Sequence, residues 1–406
     1  MRRGAFVALA AILLATLTWN DAAVARENSG LPLTQLRDLL RVRTEAQRAK
    51  DKTAFAATVD PNAPATFHDS QLRSFDNLAS LPVARINYSI RDDETDLTRA
   101  VTRSEYGDAP VALVATTRAL RFTYDARSSI DAMFWTFVKR GDEWYVAGDD
   151  DVADLGLETT VSMWDTGPVV VEQTEHFQFI AHPHQQARAH ELADLAEAAN
   201  ATLGSRWSLA WNDKVVGFLP GSPAELADLI QASVDVTKFV AFVAYGYDSQ
   251  TLRSTTPRLY VQDANLSVYP PSSQTETLVH ELSHAAGSSY AGPFIPAWVH
   301  EGLADWVAIG PTNRFPRGSG AGTRAPRDDE FGAGTQAQIV RAYHDARSLI
   351  AALSRIAGAQ SPFTLFQTLG GYRVRAGSNK YVVDEGLRAL GIPGIAALER
   401  DWVAGK

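Results

Sequence analysis

Apolar side chains recur at helical spacing over residues 33–55, where Leu36, Leu39, Leu40 and Val42 stand among frequent charges. This predicts one amphipathic helix closed by the turn Asp60-Pro61-Asn62. A second helix is expected over 67–81. The pattern then changes character: residues 84–90, 111–124 and 133–138 alternate apolar with polar or are β-branched and aromatic, as strands are. Lys139-Arg140-Gly141-Asp142-Glu143 joins the last of these to Trp144-Tyr145-Val146 as a hairpin. Helices followed by an antiparallel sheet define an α+β module.

An acidic, turn-rich stretch at 148–156 sets the expected boundary, and Trp164-Asp165-Thr166-Gly167-Pro168 opens a second unit. Strands are expected at 169–171 and 177–180, then a helix at 185–203 on its Leu192, Leu195, Ala196, Ala199 stripe, ended by Gly204. A strand at 215–219 runs into Ser222-Pro223-Ala224-Glu225, a capping box with proline at the first helical position. Strands at 238–245 and 258–262 complete a small sheet, and helices dominate from Ser273 onward. The expected fold is α+β in two units, 30–155 and 165–406, without internal repeats.

The first residues belong to neither unit. Arg2 and Arg3 precede an apolar run at 5–17, and Ala23-Val24-Ala25 makes an A-x-A cleavage site, so 1–25 reads as a signal peptide and the mature chain as secreted or extracytoplasmic. No second apolar stretch is long enough to span a bilayer. With 47 acidic against 38 basic side chains and a formal charge of -9, the chain lacks the basic footprint of a nucleic-acid or anionic-membrane binder. Small molecules, peptides or proteins are the expected partners. The absence of cysteine excludes disulfides, thiolate metal sites and cysteine nucleophiles, so any metal rests on histidine and carboxylate.

Such a set is present. Ser273-Gln274-Thr275-Glu276 is a capping box and Gly287 a stop, which places His280-Glu281-Leu282-Ser283-His284 inside one helix. At i and i+4 the two imidazoles lie one turn apart on one face, close enough to share a tetrahedral ion, while Glu281 turns aside towards a bound water. A second helix runs from Pro296 to Gly310-Pro311 and carries Glu301 and Asp305, also at i and i+4. Glu301 can supply the third ligand, and Asp305 can accept the second N–H of His280, as carboxylates beside metal-bound histidines do. Trp298, Gly302 and Trp306 mark a different stripe facing the core, where the glycine allows the two helices a close approach.

His280-Glu281-Leu282-Ser283-His284-Ala285, followed seventeen residues after His284 by a run containing Glu301-Gly302-Leu303-Ala304-Asp305-Trp306, resembles the gluzincin, or thermolysin-like, metallopeptidases. The resemblance spans 165–406 in plan. It implies zinc on His280, His284 and Glu301, Glu281 as general base and peptide or protein substrates. It further implies that an edge strand binds extended peptide backbone, for which Leu259-Tyr260-Val261 is the candidate. Gluzincins also place a tyrosine or histidine as oxyanion donor. Tyr343, beside His344, either fills that role or packs in the core with its hydroxyl at the edge, and Tyr381 is a weaker candidate. Residues 30–155 resemble the cone-shaped nuclear-transport-factor-two-like domains, without a specific motif.

Other features are set aside. His190-Glu191-Leu192-Ala193-Asp194 starts like the metal motif but ends in aspartate and reads as a solvated helix face, and His182-Pro183-His184 reads as a turn. The Gly- and Pro-rich 310–334 segment, with Arg314, Arg317, Arg324 and Arg327, reads as a mobile loop or a minor lid or anion site. Its Gly318-Ser319-Gly320-Ala321-Gly322 lacks the ending of a phosphate loop, and no G-x-S-x-G suggests a serine hydrolase. Two alternatives to a secreted zinc peptidase remain: a catalytically silent binding protein stapled by its metal, and a zinc hydrolase of a non-peptide amide or ester.

Overall fold

The computed structural model describes residues 30–405 except 92, 94, 103–104, 232–234, 247–253, 312–320 and 373–378. The expected signal segment, Arg314, Arg317 and the side chain of Tyr381 lie outside the described residues.

The first expected helix is broken in two. Helix α1 (Leu33–Ala49) ends at Lys50, whose φ of 56° is left-handed, and Asp51 then caps the short α2 (Lys52–Ala56) by accepting the Ala54 N–H at 2.9 Å. Helix α3 (Ala65–Ala79) follows. Strands β1 (Val83–Ile90), β2 (Val111–Phe122), β3 (Ser129–Arg140) and β4 (Glu143–Gly148) form an antiparallel sheet in chain order, and the expected hairpin between β3 and β4 turns on Gly141 at φ 61°. The exposed edge of β1 is blunted by α1. Thr44 Oγ1 accepts the Tyr88 N–H at 2.9 Å, and Arg48 Nε donates to the Ile86 carbonyl at 2.8 Å.

After α4 (Met163–Thr166) comes a second sheet: β5 (Val170–Gln173), β6 (Phe177–Ala181), β7 (Val215–Leu219), β8 (Ala241–Ala244) and β9 (Arg258–Val261), in the order β5-β6-β7-β9-β8. The neighbours β6, β7 and β9 are parallel, and antiparallel β5 and β8 form the two edges. Strand β9, expected at an edge, is therefore interior. Its composition explains this: Leu259 and Val261 are fully buried on one face, and on the other Tyr260 stacks 5.3 Å from both Phe218 and Phe242. The strand expected at 238–245 shrinks to β8, because Asp235 accepts the Thr237 N–H at 3.0 Å and holds 236–238 in a 3-10 turn.

The intervening and following helices are α5 (Gln186–Gly204), α6 (Pro223–Leu229), α7 (Asp263–Leu266), α8 (Pro271–Gly287), α9 (Ala297–Ile309), α10 (Gln336–Ala357), α11 (Ser361–Gly371), α12 (Asn379–Ala389) and α13 (Ile395–Val403). The fold is mixed α+β, as expected. Among the described residues no helix is long and apolar enough to cross a membrane.

Both faces of the second sheet are covered. Phe177, Phe179, Leu219 and Leu259 join the core built by α5 and α8 to α13. Ile180, Val216 and Phe218 face the other way, into a core shared with Leu36, Leu120, Phe122, Trp135 and Trp164 of the preceding segments. One core is therefore shared across the acidic stretch at 148–156. Charges cross the same junction: Arg258 of β9 grips Asp125 through its two terminal guanidinium nitrogens, Nη2 at 2.7 Å, with the two side chains 9% and 2% exposed. Arg118 of β2, paired with Asp131 on the neighbouring β3 at 2.9 Å, also reaches across the junction to Ser162 at 2.7 Å.

Removing one partner of such a pair strands the other charge in the interior. Arg258→Met is expected to lose about 3–5 kcal/mol of stability in urea denaturation followed by tryptophan fluorescence, and adding Asp125→Asn to recover part of the loss.

Candidate metal centre

Helix α8 begins two residues earlier than the expected capping box. Pro270 precedes it and Pro271 fills its first position, where no N–H is needed, so Ser273 lies within the first turn and its carbonyl accepts the Thr277 hydroxyl at 3.0 Å. Gly287 ends the helix, as expected, and a Cβ there would stand 3.0 Å from Phe366. Within these limits His280 and His284 stand one turn apart, each 4% exposed, edge-to-face with ring centroids 4.8 Å apart and planes at 80°.

Helix α9 is pinned at both ends by distant residues. Asp328 accepts the Ala297 N–H at 2.8 Å, while Arg206 donates to the last-turn carbonyls of Val307 and Ala308 at 2.8 and 2.5 Å before Gly310 breaks the helix at φ 120°. The helix thereby presents Glu301, 1% exposed, to both histidines. Glu301 Oε2 stands 3.2 Å from His280 Nε2 and 3.6 Å from His284 Nε2, and the two Nε2 atoms are 3.1 Å apart. One turn on, Asp305 Oδ1 is 2.9 Å from His280 Nδ1. A carboxylate only accepts, so Nδ1 donates to Asp305, which leaves Nε2 as the ring nitrogen turned to the convergence point, where it donates to Glu301 while protonated and can bind a metal once deprotonated.

Trp298 and Trp306 are in the core, as their stripe predicts, but the close approach at Gly302 is to α10 rather than α8. A Cβ on Gly302 would come within 2.8 Å of the backbone carbon and oxygen of Ala346. Thr335 caps α10 and Gln338 returns the bond to Thr335, setting the register that sends Tyr343 inward. Tyr343 is fully buried, 6.3 Å from His280 by ring centroid and edge-on to Phe331 at 5.1 Å. Its ring packs in the core, while its hydroxyl is buried towards Glu301 without a hydrogen bond of ordinary geometry.

The electrostatics favour a cation at the convergence point. Burial alone would push the Glu301 carboxyl up, but His284 and His280 outweigh it and hold the pKa at about 2. Burial, helped by the charge of Glu301, pushes Glu281 up to about 8. Burial depresses His284, and neighbouring His300, with His284 beside it, falls to about 3. For His280 burial opposes the charge, yet hydrogen bonds to Asp305 and Glu301 raise its pKa well above the usual value. Tyr343 is raised by burial and then by Glu301 and Asp305. Two polar atoms remain unpartnered at the centre, Glu281 Oε1 and the Tyr343 hydroxyl. His280, His284 and Glu301 thus form a buried group that could hold a metal ion, with all candidate atoms within 4.8 Å of one another.

Two contacts at the centre had no counterpart in the sequence reading. The Val243 N–H on edge strand β8 donates to Glu281 Oε2 at 3.0 Å, a backbone contact that leaves no mark in the sequence. Arg347 lies 3.6 Å from Asp305 Oδ2, and its spacing of four from Tyr343 was the available signal. The features set aside stay apart. His182 is tied to Glu225 at 2.8 Å and to the Pro168 carbonyl, and His190 is an exposed residue near Glu172 and Asp194. Arg324 and Arg327 engage Glu330 and Asp329 within their own loop. No protein-family model and no curated protein sequence matches this chain.

The helix contact at Gly302 makes a direct test. Gly302→Ala should cost about 1–3 kcal/mol through overpacking against Ala346. Gly332→Ala, where a Cβ meets nothing within 4 Å, should stay within about 0.5 kcal/mol in the same thermal melts.

Proposed function

We propose that this chain is a secreted zinc-dependent metallopeptidase. Three donors in a tetrahedral arrangement at zinc's usual distance of about 2.0–2.1 Å stand roughly 3.3 Å apart, and the three observed separations are 3.1, 3.2 and 3.6 Å. Two imidazoles and one carboxylate leave a fourth position for chemistry, whereas structural zinc sites usually close it with a protein ligand. Bound there, zinc supplies a Lewis acid that acidifies water and polarises a carbonyl.

The observation that carries the reading is the Glu281 side chain. Oε2 is held by the Val243 N–H, which leaves Oε1 buried and without a partner beside the donor set. A metal staple has no use for such an oxygen, and a general base requires one. Glu281 Oε1 takes the proton of the attacking water, and the same carboxyl returns it to the departing amine. Tyr343 supplies the donor for the developing oxyanion, because its hydroxyl lies unspent at the centre.

Edge strand β8, not β9, is the peptide-binding strand in this reading. The Gln262 N–H donates to the Val240 carbonyl, so by antiparallel alternation Phe242 and Ala244 pair with β9 while Ala241 and Val243 face outward. The Val243 contact with Glu281 agrees with that orientation. A substrate strand added to this edge brings its backbone to the carboxylate.

Zinc content of the purified mature protein and of Glu281→Gln, measured with hydrolysis of a mixed peptide library, tests the reading. One equivalent of zinc in both, with cleavage only by the parent, is expected. Zinc absent from the parent, or zinc bound without cleavage of any peptide, would overturn it, and cleavage confined to non-peptide amides or esters would replace the substrate class. With Tyr343 as the oxyanion donor, Tyr343→Phe should lower kcat by about 10²–10³ with KM little changed.

A further inference from the structure

Helices α9 and α10 meet backbone to backbone at Gly302 and Ala346. On each helix that contact lies between two inward residues one turn apart: Glu301 and Asp305 on α9, Tyr343 and Arg347 on α10. The first of each pair belongs to the centre. The second pair meets directly behind it, where the Arg347 guanidinium stands 3.6 Å from Asp305 Oδ2 with the two side chains 10% and 17% exposed. The Asp305 carboxylate is thereby divided, with Oδ1 on His280 Nδ1 at 2.9 Å and Oδ2 towards Arg347.

From this arrangement we infer that Arg347 is a positioning residue for the metal site, acting through Asp305 on the orientation and tautomer of His280. The inference rests on the metal-binding reading above. An aspartate attached through one oxygen alone can rotate about its last bond and release the imidazole. Anchoring the second oxygen fixes the carboxylate plane, and with it the Nδ1 proton and the direction of the Nε2 lone pair. Glu276, one turn before His280 on α8, adds a second carboxylate whose field meets that of Asp305, and Arg347, together with Arg206 and His280, counters it. The close helix contact is part of the device, since a side chain at position 302 would hold α10, and Arg347 with it, off Asp305.

The test uses the full mature chain stripped of metal. Zinc affinity is read by competition with a chromophoric chelator, the cobalt-substituted protein is examined by visible absorption, and melting temperatures of the metal-free forms are recorded. Arg347→Met is expected to weaken zinc binding about 10- to 100-fold and to alter the cobalt spectrum. Arg347→Lys, which keeps a cation, should recover much of the affinity. Combining Arg347→Met with Asp305→Asn should weaken binding no further than Asp305→Asn does alone, because both act through one carboxylate. Parental affinity and spectrum in Arg347→Met, or additive losses in the double variant, would overturn the inference while leaving the metal site intact. A parent that binds no zinc would remove the metal reading itself. Should Arg347→Met fail to fold, the lysine variant decides: affinity falling in step with the melting temperature of the metal-free form, with an unchanged cobalt spectrum, would mean a purely structural role.

Discussion

Two imidazoles and a carboxylate buried with converging nitrogen and oxygen atoms need a positive charge among them, which a proton on His280 or a metal ion can supply. His280, His284 and Glu301 are all 4% exposed or less, and their donor atoms converge to within 3.6 Å. Burial of that kind is unfavourable for the protein alone. The surrounding structure maintains it through rigid helices whose ends are fixed from outside: Asp328 and Arg206 on α9, Thr335 on α10, and the prolines that open α8 and α9. Donor convergence is thus a property of how three helices are anchored, and each anchor lies away from the atoms it positions.

The packing that enforces this geometry is apolar and close. Gly302 lets the α9 backbone touch that of Ala346 on α10, and Gly287 leaves room for Phe366 at the end of α8. Trp298 and Trp306 fill the far side of α9. Interiors at this density transmit small displacements rather than absorb them. The outer contacts of Asp305 and Arg347 lie inside the same packing, so the orientation of His280 depends on the spacing of α9 and α10 as well as on α8, which carries it.

A second dependence runs through the sheet. Edge strand β8 holds Glu281 through Val243, and β8 is backed by β9, whose Arg258 is locked to Asp125 on the turn between β2 and β3. The other sheet face, Ile180, Val216 and Phe218, is covered by Phe122 and Trp164. The antiparallel segment that comes first in the chain is therefore part of the frame that fixes Glu281, through one continuous core and one buried ion pair.

Local interactions were legible in the sequence. The i and i+4 spacing of His280 with His284 and of Glu301 with Asp305, the stop at Gly287, the break at Gly310 and the β3–β4 hairpin each depend on a few neighbouring residues, and the structure shows them as the pattern predicts. Where a local signal competed with another, the reading failed. Lys50 and Asp51 split the first helix although its apolar stripe continues, and Pro270-Pro271 started α8 ahead of the capping box at Ser273. The order of strands, the partner of Gly302, the N–H that holds Glu281 and the guanidinium behind Asp305 were decided only in three dimensions. Each joins residues far apart in the chain, such as Val243 with Glu281 or Asp305 with Arg347, and no periodicity encodes which distant surfaces will pack. The amino-acid sequence by itself determined which side chains could form a metal site. The tertiary structure decided that they converge and which oxygen of Glu281 is left free.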